Sequence, residues 1–296
     1  MTSRRSLLLG AGTIWGAACA GRLATDRPAA ARPDPRVAAI EASLGGRVGV
    51  FAFEIGSGDA LAHRPDDRFA MCSTFKALLA AAVLARVDAG LLSLERRLPF
   101  RPADLIDHSP VTRAHVAAGA LPIAELAAAA VVVSDNTAAN LLLGAVGGPP
   151  ALTEWLRGLG DPTTRLDRQE PALNANVRGD PRDTTTPRAM ARTLAQVTTG
   201  APLAPASRER LVAWMKACTT GRNRLRAGLP AAWDAGDKTG TGNDGAAGDV
   251  AIAFPPGRAP VAIAVYFSET PAGPDARDAA FGRIGQIVAD TFAAPA

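Results

Sequence analysis

Apolar and polar positions change rhythm twice along this chain of 296 residues. In the first stretch, Pro35 to Leu44 reads as a helix and Val48-Gly49-Val50-Phe51-Ala52-Phe53-Glu54-Ile55 as a strand. Gly56-Ser57-Gly58-Asp59 is turn chemistry, with Leu61-Ala62-His63 as the return strand of a hairpin. From Phe69 to about Lys216 the pattern is mostly helical, broken by Pro- and Asp-rich loops. The run Ala77 to Leu84 is rich in strong helix formers, and its helix should end near Asp88-Ala89-Gly90, with Gly90 just past the end. Pro122 suits the first turn of a helix over Ile123 to Ala130. Asn136 to Val146 reads as another helix, closed by Gly147-Gly148-Pro149-Pro150. Gly160 to about Thr185 holds few periodic apolar positions, and a loop this long inside a compact domain is usually functional. Thr186 and Pro187 then fit the N-cap and first position of a further helix. After Pro230 strand patterns return at Trp233 to Gly242, Asp249 to Phe254 and Val261 to Phe267, the last two flanking a Pro255-Pro256-Gly257 turn. A last helix is predicted over Asp275 to Phe292.

A lone hairpin is too small to stand by itself, so the early strands are expected beside the late ones. The expected fold class is α/β of the α+β type: an antiparallel sheet flanked by helices and built from both chain ends, with an inserted all-helical lobe. The boundaries fall at 35–65 and 217–296 for the lobe with the sheet and 66–216 for the insertion, with an Ala-, Arg- and Pro-rich linker over 22–34. The cleft between two such lobes is a natural site.

Composition narrows the function classes. Apolar content of 48% and charged content of 20% are ordinary for a globular protein. The net charge of +4 comes without any Lys/Arg-rich run, so no nucleic-acid partner is expected. Arg4-Arg5, the leucines after them and Ala18-Cys19-Ala20 read as an export signal over 1–21 of the twin-arginine kind. The apolar run is short for a membrane span. Lipidation at Cys19 is the competing reading, but Gly16 stands where an aliphatic residue is usual three positions before such a cysteine. The expectation is an exported protein, periplasmic or secreted after cleavage, with no stable membrane span. Of the three cysteines, Cys72 and Cys218 remain after cleavage, either as a bridge or as two buried thiols. His63, His108 and His115 have no metal-ligand spacing. With no Gly-x-Ser-x-Gly either, a catalytic base would be Lys or Glu.

Candidate chemistry starts at Cys72-Ser73-Thr74-Phe75-Lys76. On a helix, residues three apart share a face, so Lys76 can reach Ser73. A serine needs a neighbouring base to act as nucleophile, and a desolvated lysine can serve. A capped helix start with a surface lysine has the same letters. Ser134-Asp135-Asn136 opens a helix and is equally an ordinary cap. Glu170 and Asn174 lie four apart in the long loop, so one helical turn would aim a carboxylate and an amide at one spot, with room for a water between them. Lys238 and Gly240 share one face of a strand, with Thr239 on the other.

In that order, and on those elements, the motifs resemble the class A serine β-lactamases, within the penicillin-recognising serine enzymes. The resemblance runs from about Pro35 to Phe292 and includes Ser109-Pro110-Val111-Thr112, Arg165 to Pro171, Arg182 to Pro187 and Trp214-Met215. It implies hydrolysis of penicillins and cephalosporins through an acyl-enzyme on Ser73, with Lys76 or Glu170 as the first base. It also implies an oxyanion hole from the main-chain N–H groups of Ser73 and Thr241, and Ser134 relaying a proton with help from Lys76 and Lys238. Asn136, Asn174, Thr239, Gly240, Thr241, Arg224 and His108 would bind substrate, and Arg168 with Asp183 would pin the loop. No cofactor or metal is implied; the partner is a small β-lactam and a monomer is expected. Departures from the family pattern are Ala247 where many relatives carry an arginine (a role passed to Arg224), and His108 where Tyr or Trp is usual. Ala81 and Ala127 replace a common disulfide, and Gly242 stands opposite Cys72 where some carbapenem-hydrolysing relatives have a bridge. Related alternatives are a penicillin-binding D-Ala-D-Ala peptidase and a non-catalytic β-lactam sensor domain.

Overall fold

A computed structural model of the protein describes residues 31–32 and 34–293. The export signal expected over 1–21 lies outside the described residues. In chain order the elements are β1 (Ala31–Arg32), α1 (Pro35–Leu44), β2 (Arg47–Glu54), β3 (Ala60–His63), β4 (Phe69–Ala70), α2 (Phe75–Asp88), β5 (Arg97–Pro99), α3 (Pro110–Ala114), β6 (Ala120–Pro122) and α4 (Ile123–Val132). They continue with α5 (Asn136–Val146), α6 (Gly148–Gly158), β7 (Thr184–Thr185), α7 (Pro187–Thr199), α8 (Pro205–Lys216), α9 (Leu225–Gly228), β8 (Gly236–Thr241), β9 (Ala247–Ala253), β10 (Val261–Ser268) and α10 (Pro274–Phe292).

The main sheet has six strands in the order β1-β3-β2-β10-β9-β8, so both chain ends build it. β2 runs antiparallel to β10 with Val50 opposite Val265, and β9 runs antiparallel to β10 with Ala251 opposite Ile263. All eight residues of β10 are buried, as expected of a central strand covered on both faces. Alternation along it feeds two cores. Ala262, Ala264 and Tyr266 join a core with α2, α4, α5 and α7, whereas Val261, Ile263, Val265 and Phe267 pack with α1 and α10. In α2 every residue from Phe75 to Leu84 is buried, which makes it the central helix of the inserted segment. That segment also holds two small sheets, β4 with β7 and β5 with β6. No helix among the described residues is long and apolar enough to cross a membrane.

Several local expectations need correction. Pro122 ends β6 and caps α4 from outside, with extended backbone (φ −60°, ψ 147°), instead of entering its first turn. Gly148-Pro149-Pro150 opens α6 and does not simply close α5; proline near a helix start loses no intrahelical bond. The strand predicted from Trp233 begins only at Gly236, because Trp233 N–H closes a turn onto Pro230 O at 2.9 Å. Ser73 precedes the long helix in a 3-10 turn, Cys72–Thr74. Of the two readings for Cys72 and Cys218, the one that holds is two buried thiols.

Helices α9 and α10 meet backbone to backbone. A Cβ on Gly228 would lie 1.8 Å from Gly282 O and 2.6 Å from Gln286 N, and one on Gly285 would lie 2.3 Å from Leu225 O. Gly228→Ala should therefore cost about 1–3 kcal/mol through overpacking. Thermal unfolding checks this, and an unchanged Tm would mean that the two helices separate freely.

Candidate active site

The Cys72–Thr74 turn delivers Ser73 at the head of α2, one turn before Lys76. Gly240 on β8 lies against this turn: a Cβ there would meet Met71 O at 2.8 Å and Ser73 N at 3.0 Å. Only glycine permits that approach. Non-glycine residues with positive φ gather around the site, with Cys72 at 45°, His108 at 54°, Ser134 at 60° and Asp183 at 58°. Such strained backbone persists where surrounding contacts over-determine it.

Lys76 is fully buried. Its Nζ donates to Ser134 O at 2.9 Å, Ser134 Oγ at 3.3 Å and Asn136 Oδ1 at 2.5 Å, and lies 3.0 Å from Glu170 Oε1. An ammonium has three hydrogens for these four acceptors. Burial lowers the Lys76 pKa below its ordinary value, and the Glu170 carboxylate opposes that shift. Ser73 Oγ donates to the same Glu170 Oε1 at 3.0 Å. Nucleophile, amine and carboxylate thus share one oxygen.

The turn carrying Ser134 and Asn136 is held by Asp135. This buried carboxylate accepts from Val111 N and Thr112 N at 2.9 Å each, from Thr112 Oγ1 at 3.0 Å and from Ala138 N at 2.8 Å. It caps α5, as its sequence context suggests, but it also ties α5 to α3. His108 lies alongside with an exposed side chain; its carbonyl accepts Asn136 N–H at 3.0 Å, and its Nε2 is 3.0 Å from Val133 O.

Glu170 is held at its main chain and at its carboxylate. Asn140 on α5 pairs with its backbone, accepting Glu170 N–H at 3.0 Å and donating to Glu170 O at 2.9 Å. Asn174 Nδ2 donates to Glu170 Oε2 at 2.6 Å. The other amide atom, Asn174 Oδ1, is buried without a partner. At the neck of the loop Arg168 Nε lies 2.5 Å from Asp183 Oδ2, while Asp183 Oδ1 accepts the N–H groups of Asp167 and Arg168 at 2.7 and 2.9 Å.

β8 supplies the other wall. It is an edge strand, and Gly242 N–H bonds to Ala246 O. The ladder bonds therefore fall on Gly240–Gly248 and Lys238–Val250, and the N–H groups of Thr239 and Thr241 face the free edge. Lys238 is fully buried, and its Nζ donates to Thr239 O at 2.8 Å. Burial pushes the Lys238 pKa down to about 8, with the nearby Lys76 charge acting in the same direction. Thr239 Oγ1 is 2.6 Å from Thr220 Oγ1. Arg224 reaches Thr241 Oγ1 through Nη2, Gly240 O and Gly248 O through Nη1, and Asp278 through Nε, each at 2.9 Å. Four of its five N–H bonds are thus committed, and the fifth sits on the nitrogen beside Thr241. The site of a Cβ on Gly242 is 2.7 Å from Cys72 Sγ, so these two positions are adjacent with no second sulfur to join them.

The structure thus brings Ser73, Lys76, Ser134, Asn136, Glu170 and Asn174 into one hydrogen-bonded cluster. Lys238, Thr239, Gly240, Thr241 and Arg224 line the neighbouring strand. His108 stands at the rim, and Arg168 and Asp183 lie behind the loop. Sequence reasoning missed Asn140, Thr220 and the tie from Asp135 to α3. Asn140 lies one helical turn after Asn136 and carried only that faint signal.

The model of the Beta-lactamase enzyme family matches residues 32–292. Beta-lactamase CTX-M-8 of Citrobacter amalonaticus is 44% identical over 257 residues, covering 87% of this chain and 88% of the relative. Beta-lactamase AST-1 of Nocardia asteroides is 45% identical over 259 residues, covering 88% of this chain and 83% of the relative. Among solved structures, an ancestral (GNCA) class A β-lactamase superposes with a TM-score of 0.85 at 55% identity, covering 87% of this chain and 99% of the other. Together with the Ser73-Lys76-Glu170 cluster, these matches mean that the chain belongs to the class A serine β-lactamases.

Proposed function

We propose that this chain hydrolyses the β-lactam ring of penicillins and cephalosporins through an acyl-Ser73 intermediate, and so confers resistance to them. The observation that carries the reading is the single Glu170 oxygen contacted by both Ser73 Oγ and Lys76 Nζ, each at 3.0 Å. As Ser73 attacks the ring carbonyl, its proton passes along that hydrogen bond to Glu170. The main-chain N–H groups of Ser73 and Thr241 hold the developing oxyanion. When the C–N bond breaks, the Ser134 hydroxyl gives its proton to the ring nitrogen. Lys76, 3.3 Å from Ser134 Oγ, replaces that proton and recovers one from Glu170.

Acylation removes the hydrogen that Ser73 donated, so Glu170 Oε1 loses a partner. Asn174 Oδ1 already lacks one. The two acceptors then suit one water, whose proton goes to Glu170 while its oxygen attacks the ester; the bond from Ser73 Oγ to the acyl carbon breaks, and Ser73 Oγ takes that proton back from Glu170. Asn140, Arg168 and Asp183 keep Glu170 in reach. Lys238, Thr239, Thr241 and the uncommitted Arg224 N–H form the pocket for the substrate carboxylate, with Asn136 and His108 along the opposite rim. The lobes 35–65 with 217–296, and 66–216, are the two walls of this cleft. We further read the mature protein as an exported, periplasmic or secreted monomer.

Hydrolysis of a chromogenic cephalosporin by the purified protein tests the reading. Glu170→Ala should lose roughly a thousandfold in turnover and accumulate an acyl adduct visible by mass spectrometry, whereas Ser73→Ala should show no adduct. Rapid acylation of the parent without turnover would instead mark a peptidase-like or sensor protein. Arg224→Ala should raise KM about tenfold, because one charge-assisted hydrogen bond to the carboxylate is lost; an unchanged KM would remove Arg224 from the pocket.

The Lys238 pKa lies near 8, below its ordinary value. Its positive charge is therefore present below about pH 8 and lost above it. KM should rise as pH passes 8, and Lys238→Arg should flatten that rise. A parent KM that stayed constant to pH 10 would exclude this role for Lys238.

A further inference from the structure

A cavity of about 620 Å³ opens between β2, α7 and the two ends of the long loop, and none of the reacting residues lines it. That volume is typical of small-molecule sites. Its floor is apolar, formed by Phe51, Phe53, Ile55, Leu159, Pro162 and Ala195.

The polar groups on its wall divide sharply by type. Every carboxylate is already engaged. Glu54 pairs with Arg258 at 2.8 Å, and Asp66 pairs with Arg188 at 2.8 Å. Asp161 accepts from Thr163 N, Thr164 N and Thr193 Oγ1, each at 2.9 Å. The Arg188 guanidinium is further held over the Phe51 ring at 4.6 Å. By contrast, Arg192 and Gln196 stand one helical turn apart on α7 and both face the cavity. Among the described residues neither side chain has a hydrogen-bond or ion-pair partner.

An apolar floor, engaged carboxylates, and an unpartnered guanidinium beside an unpartnered amide together point to an anionic ligand. We propose that this cavity binds a small organic acid, with an aryl or alkyl body on the floor and its carboxylate on Arg192 and Gln196. A carboxylate suits a guanidinium because its two oxygens match the paired N–H geometry. A cationic or purely donor ligand would find no free acceptor among the wall carboxylates. Asp161, Pro162 and Thr163 begin the loop that carries Glu170, and Thr186 follows its end, so an occupant touches both of its roots. Thr164 Oγ1 and Thr185 Oγ1 close that neck at 2.7 Å.

4-Phenylbutyrate is a suitable probe, titrated into the purified protein by calorimetry. A carboxylate can also settle beside Thr241, so the variants must tell the two places apart. Saturable binding is expected to weaken about tenfold in Arg192→Glu, which reverses the charge on an exposed side chain. It should be unchanged in Arg224→Ala and abolished in Ala195→Phe, whose ring fills the floor. Thermal unfolding of Arg192→Glu should match the parent, which shows that the variant folds. The proposal is overturned by absence of saturable binding, by Arg192→Glu binding like the parent, or by loss of binding in Arg224→Ala in its place. None of these readouts depends on whether the chain deacylates, so they stand apart from the hydrolysis assays.

Discussion

The buried amine of Lys76 is the constraint on which the site depends. It sits on α2, whose first ten residues are all buried. A charged group there is expensive unless it is paired and hydrogen-bonded. Ser134, Asn136 and Glu170 meet that need from two distant segments, and each is itself fixed by other contacts. Removing one partner of such a buried set leaves a charge without compensation, which typically costs about 3–5 kcal/mol. The same crowding lowers the pKa of Lys76, so the requirement of burial and the requirement of proton transfer have one physical origin.

The supporting contacts share a logic. Asp135 spends its carboxylate on four donors from α3 and α5, which leaves Ser134 and Asn136 to aim at Lys76. Asn140 holds Glu170 by its backbone, so the carboxylate itself remains available to Ser73, Lys76 and Asn174. Arg224 is clamped by two strand carbonyls and by Asp278, and projects one remaining donor beside Thr241. In each case the group next to the reacting atoms is oriented by a neighbour that does not react. Such preorganisation lowers the reorganisation needed when charge develops.

Legibility in the sequence followed the range of the interaction. Ser73 with Lys76 was readable because one helical turn separates them. Lys238 with Gly240 was readable because a strand alternates. The N-cap at Thr186 was readable because its own side chain accepts Ala189 N–H, three residues on. Pro122 and Gly148-Pro149-Pro150 were misplaced because a proline near a helix start is compatible with the cap, the first turn or the preceding strand. Trp233 has strand propensity, but its indole packs into the core beside α10 from a turn, and tertiary packing overrode the local preference.

By itself the sequence determined the early hairpin, the helical middle and the returning strands, the sheet built from both ends and the four motifs that place this chain among the serine β-lactamases. Those depend on periodicity and short spacing, which a linear chain states outright. The tertiary structure alone decided that Ser73 and Lys76 share one oxygen of Glu170, that Asn140 braces that residue's backbone, and that Arg224 arrives at Thr241. It also decided that Arg192 and Gln196 are left without partners above an apolar floor. Those contacts join residues tens of positions apart in the chain, and hydrogen bonds a few tenths of an ångström from useful geometry are set only when both cores have closed around them.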